Sequence, residues 1–130
     1  GSRPSIWPTE GWISSGFGNR ISPFTGKKEM HAGLDISAPL GTPIVATADG
    51  RVVTSGTQPA AGKTIVIEHQ DGLTTTYNHM QRLVAKSGEK VKRGDIIGFV
   101  GDSGRTTGPH LHYEVRQAGA PVNPIRFILN

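Results

Sequence analysis

Two histidines stand two apart in Gly108-Pro109-His110-Leu111-His112-Tyr113-Glu114-Val115. In an extended strand the side chains at i and i+2 share a face, so His110 and His112 stand together while Leu111 turns to the opposite side. Each imidazole carries two ring nitrogens that need partners, which makes an adjacent pair poor core material. The same pair suits a metal site, or a metal ligand beside an acid/base group. Two histidines on a half-exposed strand would show the same spacing, so partners elsewhere in the chain decide the matter.

Met30-His31-Ala32-Gly33-Leu34-Asp35-Ile36 offers such partners. His31 and Asp35 are four apart, a spacing that shares one face of an extended strand or of a helical turn; Gly33 and Pro39 favour the extended form. Zinc takes imidazole nitrogen and carboxylate oxygen, and a catalytic zinc has three protein ligands with a fourth position left for water. His31, Asp35 and one member of the His110/His112 pair make up such a set, and spacing leaves open which member. The other member, with His79, is then available for proton work. Zinc brings the pKa of water to about 7, within reach of a neutral imidazole base, and a second imidazole can stabilise an oxyanion. His69 precedes the Asp71-Gly72 turn and reads as a structural residue at a strand end. Ser14, Ser37 and Ser103 lack a nucleophile-elbow setting, and Asp95 and Asp102 fall in turns. The chain has no cysteine, which excludes a thiolate ligand and a cysteine nucleophile.

The elements that must position these groups read as β throughout. Residues 1–12 form an irregular lead-in broken by Pro4, Pro8 and Gly11, with Trp7 and Trp12 as expected anchors on the body of the domain. Residues 14–21 are a short glycine-rich strand or turn, and 22–29 a loop. Residues 43–48 and 51–55 read as strands joined by an Asp49-Gly50 hairpin turn. Further strands are expected at 64–69, 73–79, 95–100 and from His110 to Arg116, with loops at 58–62 and 101–109 and a short final turn at 125–129. Short strands, frequent turns and no helical pattern of ten residues define an all-β domain, an antiparallel sandwich or partly open barrel. A faint echo links Asp49-Gly50-Arg51-Val52 with Arg93-Gly94-Asp95-Ile96, as in biotinyl and lipoyl carriers, but no lysine sits at a matching hairpin tip.

The order and spacing of His31-Ala32-Gly33-Leu34-Asp35, Thr76-Tyr77-Asn78-His79 and Gly108-Pro109-His110-Leu111-His112 resemble the lysostaphin-like (LytM-type) peptidoglycan metalloendopeptidases. Gly41-Thr42-Pro43-Ile44, Asp49-Gly50-Arg51-Val52-Val53, Gly94-Asp95-Ile96-Ile97-Gly98 and Pro121-Val122-Asn123-Pro124 fit as well, so the likeness runs from about Gly16 to the C-terminus. The resemblance implies one Zn2+ held by His31, Asp35 and His112, with His79 and His110 as catalytic residues that are not ligands. It implies a narrow groove walled by loops, here 23–29, 58–62 and 103–109, that takes peptide stems or cross-bridges of peptidoglycan in the cell envelope, periplasmic or extracellular. Both glycyl bridges and D-Ala–diaminopimelate cross-links are cut within the family; with no appended wall-targeting segment, the D-Ala cross-link is the expectation. A rival is a metal-free module of the same family that activates a cell-wall amidase, but all five site positions are filled here.

The chain has 130 residues, the size of one domain, and carries 14 Lys+Arg against 10 Asp+Glu. That mild excess suits solubility or an anionic wall polymer; no basic stripe interleaved with aromatics marks a nucleic-acid binder. No apolar run is long enough to span a bilayer, and no signal-peptide pattern occurs. Gly1-Ser2 resembles a cloning remnant. The expectation is therefore a lead-in over 1–15, one peptidase domain over 16–130, and an N-terminal regulatory or anchoring region in a longer protein.

Overall fold

A computed structural model describes residues 1–129. Twelve strands form it: β1 (Trp12–Ser15), β2 (Gly18–Ile21), β3 (Lys28–His31), β4 (Leu34–Ser37), β5 (Pro43–Val45), β6 (Gly50–Gln58), β7 (Gly62–Glu68), β8 (Leu73–Leu83), β9 (Lys90–Val91), β10 (Ile96–Val100), β11 (His110–Gln117) and β12 (Ala120–Val122). A 3-10 turn, Pro124–Arg126, follows. The strands pair antiparallel in the order β1-β4-β11-β8-β7-β6-β9, while β10 joins β5 to the C-terminal end of β8 and β12 extends β11. β2 and β3 form a separate hairpin. The result is an open, curled antiparallel assembly, as the all-β reading expects.

Period-two alternation sorts the chain into core and site. Along β11, Leu111, Tyr113 and Val115 are buried, while His110, His112, Glu114 and Arg116 share the other face. The buried set packs with Ile44 and Ala46, Ile65 and Ile67 of β7, Tyr77 and Met80 of β8, and Ile97 and Val100 of β10. Burying each such aliphatic side chain contributes about 1.5–3 kcal/mol, so the strand carrying the histidines is held from behind by apolar packing.

One polar chain threads this core. His69 Nδ1 lies 2.7 Å from the Asp49 carbonyl, which can only accept, so Nδ1 donates and Nε2 is left to accept. Thr75 Oγ1 therefore donates to His69 Nε2 at 2.7 Å and accepts from the Tyr77 hydroxyl at 2.8 Å. The Thr47 hydroxyl then donates to Tyr77, and Tyr113 donates to Thr47 at 2.7 Å. Every proton in the chain is assigned from one carbonyl. Burial lowers the pKa of His69, against the hydrogen bond to Asp49, which raises it. A protonated ring would lose its bond from Thr75. His69 is structural, in line with its sequence reading.

Three local expectations are corrected. Asp49-Gly50 does not close a hairpin: β5 pairs with β10, and β6 pairs with β7 and β9. The backbone of 46–47 is spent elsewhere, Ala46 N on the Asp95 carbonyl and Thr47 N on the Tyr77 hydroxyl, so no ladder can form there. Gly50 is required for close approach instead, since a Cβ there would stand 2.4 Å from the Glu68 carbonyl oxygen. Second, Trp12 is not an anchor; it lies on edge strand β1 and is 66% exposed. β1 itself pairs with β4, so the lead-in is part of the sheet from Trp12 onward. Third, Lys28 and Glu29 belong to β3, which shortens the expected 22–29 loop at its far end.

Candidate metal centre

The β4–β11 pairing sets Asp35 directly opposite His112. His31 arrives from the end of β3, and a break at Ala32-Gly33 separates it from Asp35 in β4. The two residues thus sit on two strands in different sheets, where a single extended segment was one sequence-level option. His112 Nδ1 lies 2.8 Å from Asp35 Oδ1, His31 Nε2 lies 3.3 Å from the same oxygen, and the two ring nitrogens are 3.3 Å apart. Ligand atoms of His31, Asp35 and His112 all fall within 4.8 Å of one another.

Each member of this cluster is oriented from outside. His31 donates Nδ1–H to the Gly16 carbonyl at 2.8 Å, so Nε2 is its inward-facing nitrogen. His112 donates Nε2–H to Glu114 Oε2 at 2.8 Å, so Nδ1 is its inward-facing nitrogen, donating to Asp35 Oδ1 and open to a metal once that proton is lost. Arg20 Nη1 donates to Asp35 Oδ2 at 3.0 Å, leaving Oδ1 for the cluster. Glu114 is fixed in turn by Arg116, and Arg20 by Glu29 and Ser15. Two imidazole nitrogens and one carboxylate oxygen converge, each with its far side satisfied, and such outer partners are what set tautomer and ligand basicity at metal sites. The donor set fits zinc.

The charges are strongly coupled. Burial works to raise the Asp35 pKa, but hydrogen bonds from His112 and His31 outweigh it and hold the carboxyl far below the carboxylate range. Burial works to lower His112, but hydrogen bonds to Asp35 and Glu114 push it up to about 9. Glu114 is held below its usual value because bonds from His112 and Arg116 outweigh burial.

His79 and His110 stand beside the cluster with ring centroids 4.9 Å apart. His79 donates Nδ1–H to the Ser103 carbonyl at 2.8 Å, and His110 donates Nδ1–H to the Gly108 carbonyl at 2.8 Å. Both therefore keep an Nε2 lone pair available, and that of His110 is 3.7 Å from Asp35 Oδ1. Burial, opposed by the bond to Ser103, lowers the pKa of His79, which favours the neutral ring. Strict alternation from buried Tyr77 would aim His79 at the core. A register shift between β7 and β8 and a φ of 60° at His79 turn it toward the groove instead. For a residue with a Cβ such backbone costs of the order of 1–3 kcal/mol and gathers at functional sites; here His79 N donates to the Ala61 carbonyl at 2.8 Å, helping to hold it.

Four of these five residues, Asp35, His79, His110 and His112, line one groove of about 260 Å³. Pro23 and Phe24, Ala60 and Ala61, and Arg105 to Thr107 form its walls, so all three expected loops contribute. Sequence reasoning missed Glu114 and Arg20. Glu114 was within reach, because it lies two residues beyond His112 on the same alternating face. Arg20 carried no local signal, since its role depends on how the β2–β3 hairpin folds over β4.

The sequence profile of peptidase family M23 matches residues 29–124, and the chain belongs to that family. It is 44% identical over 115 residues to the peptidoglycan DD-endopeptidase ShyA of Vibrio cholerae, covering 88% of this chain and 27% of that protein. The crystal structure of a zinc-containing peptidase from Vibrio cholerae superposes with a TM-score of 0.86 and 39% identity, over 93% of this chain and 39% of that one. The catalytic domain of the antimicrobial peptidase lysostaphin from Staphylococcus simulans superposes with a TM-score of 0.80 and 30% identity, over 88% of this chain and 90% of that domain. The chain spans about a quarter of the length of the curated relative, 27%.

Proposed function

We propose that this chain is the catalytic domain of a zinc-dependent endopeptidase that hydrolyses peptide cross-links of bacterial peptidoglycan, at D-Ala–diaminopimelate bonds. His31 Nε2, Asp35 Oδ1 and His112 Nδ1 are its metal ligands, and residues 16–130 are its peptidase domain, acting in the cell envelope. The observation that carries this reading is the convergence of three outward-satisfied ligands within 4.8 Å, beside two further imidazoles with free Nε2 atoms in one groove. Likeness to a protein named as a peptidoglycan DD-endopeptidase and to a zinc-containing peptidase supports the substrate and the metal.

Zinc, when bound, supplies a Lewis acid that polarises a carbonyl and acidifies water. The chain's own residues do the rest. His110 and His79 present two imidazole Nε2 atoms to the groove, so one Nε2 removes a proton from the attacking water. The other, once protonated, donates to the oxygen on which negative charge develops. Backbone carbonyls of Gly108 and Ser103 hold both rings in the tautomer this requires. The residues at 23–24, 60–61 and 105–107 flank the place an extended peptide would take.

Mass spectrometry of fragments released from two peptidoglycans, one linked directly through diaminopimelate and one through pentaglycine, tests the proposal. The zinc-loaded chain is expected to open the direct cross-link, and Asp35→Ala to release nothing. Digestion by Asp35→Ala, or stimulation of an amidase by a metal-free chain with no cleavage of its own, would overturn it in favour of the activator module.

A further inference from the structure

Two cations line the groove, Arg20 and Arg105. Arg20 is committed, to Asp35, Glu29 and Ser15. The Arg105 guanidinium instead lies 4.2 Å above the ring of Phe24, and among the described residues it forms neither an ion pair nor a side-chain hydrogen bond. A guanidinium has five N–H donors in a rigid fork shaped for a carboxylate. Stacking on an aromatic face holds the plane while leaving that fork unspent.

The position is built from below. Arg105 N donates to the Ala60 carbonyl at 2.7 Å. Two residues earlier, Ser103 Oγ accepts from Lys63 N at 3.0 Å and donates to the Met80 carbonyl, while the Ser103 carbonyl holds His79. Gly104 closes on the same turn: its φ is +81°, and a Cβ there would stand 2.4 Å from the Ala60 oxygen. Arg105 and Phe24 thus meet in the lining of the groove that holds His79 and His110.

Resting on the endopeptidase reading above, we infer that Arg105, steadied by Phe24, is a specificity residue that binds a free carboxylate of the substrate next to the scissile amide. In a D-Ala–diaminopimelate cross-link, the carbon bearing the scissile nitrogen also bears a carboxylate. An internal glycyl bond of a pentaglycine bridge has none. Arg105, the groove's one uncommitted cation among the described residues, therefore distinguishes the two bond types.

The test uses two synthetic cross-link peptides that differ only in having a carboxylate or a carboxamide on that carbon. A charge-assisted hydrogen bond corresponds to about a 10- to 100-fold ratio in kcat/KM in favour of the carboxylate for the unmodified chain. Arg105→Gln is expected to bring the ratio close to unity. Arg105→Lys keeps the charge without the fork and should fall between, and Phe24→Leu should lower the ratio by loosening the guanidinium. A ratio undiminished in Arg105→Gln, or equal slowing of both peptides, would overturn the inference, the latter by showing that Arg105 only supports its loop. Equal cleavage of both by the unmodified chain also sinks the inference but leaves the endopeptidase reading intact. Cleavage of neither contradicts both.

Discussion

Gly33 stands between the two ligands His31 and Asp35, and its replacement by alanine couples packing to the metal site. A Cβ at Gly33 would lie 2.3 Å from the Tyr113 carbonyl oxygen and 2.9 Å from Glu114 Cγ. The first contact is with backbone of β11, which cannot swing aside, because Tyr113 is paired with Leu34 on one side and Tyr77 on the other. The second presses on the carboxylate that orients His112. Relief requires β4 and β11 to separate, and overpacking of this kind costs about 1–3 kcal/mol. For a domain of this size that is a fall in Tm of roughly 3–15 °C. The same separation pulls Asp35 from His112, now 2.8 Å apart, so zinc affinity should fall with it. Thermal melts of the zinc-stripped variant and a competition titration with a chelating indicator give the two quantities. An unchanged Tm would refute the packing argument. A lowered Tm with unchanged zinc affinity would show that the strand pairing does not set the ligand geometry.

Other residues give independent outcomes. Glu114→Gln offers one carbonyl oxygen where His112 and Arg116 now share a carboxylate; zinc affinity, measured above the His112 pKa of about 9 so that a proton no longer competes, should drop about 10- to 100-fold. His79→Ala and His110→Ala should each retain zinc in metal analysis while lowering kcat about 10²- to 10⁴-fold, the range for loss of a proton-transfer group. Loss of zinc in either would make that residue a ligand. His69 is held below its ordinary pKa by burial, so the unfolded chain takes up a proton near pH 6.5 that the folded ring resists. Its stability contribution is full above that pH and is lost as pH falls through the window down to the folded value. A series of melts should show this slope in the wild type and a shallower one in His69→Gln; identical slopes would place the titration elsewhere.

The shared face of His110 and His112 was legible because it depends only on the period of a strand, and the core assignment of Leu111 follows from the same rule. Glu114 obeyed that rule too, and recognising it needed only one more step of two residues. His79 is different. Its direction comes from a bulge and a left-handed backbone, and neither is encoded in side-chain alternation. The Asp49-Gly50 turn misled because dipeptide chemistry reports local preference alone. It does not report that the preceding backbone donors go to Asp95 and the Tyr77 hydroxyl. Trp12 misled for a related reason: its size suggests burial, but edge strand β1 leaves it facing outward. Arg20 and Arg105 became meaningful only once the hairpin and loops placed them over the floor.

The ligand assignment is tested most directly by anomalous diffraction at the zinc edge from crystals of the zinc-loaded chain. A single peak is expected about 2.0–2.2 Å from His31 Nε2, His112 Nδ1 and an Asp35 oxygen, with His79 and His110 outside bonding distance. A peak bonded to His79 or His110, or no peak at the His31–Asp35–His112 cluster, would contradict the account.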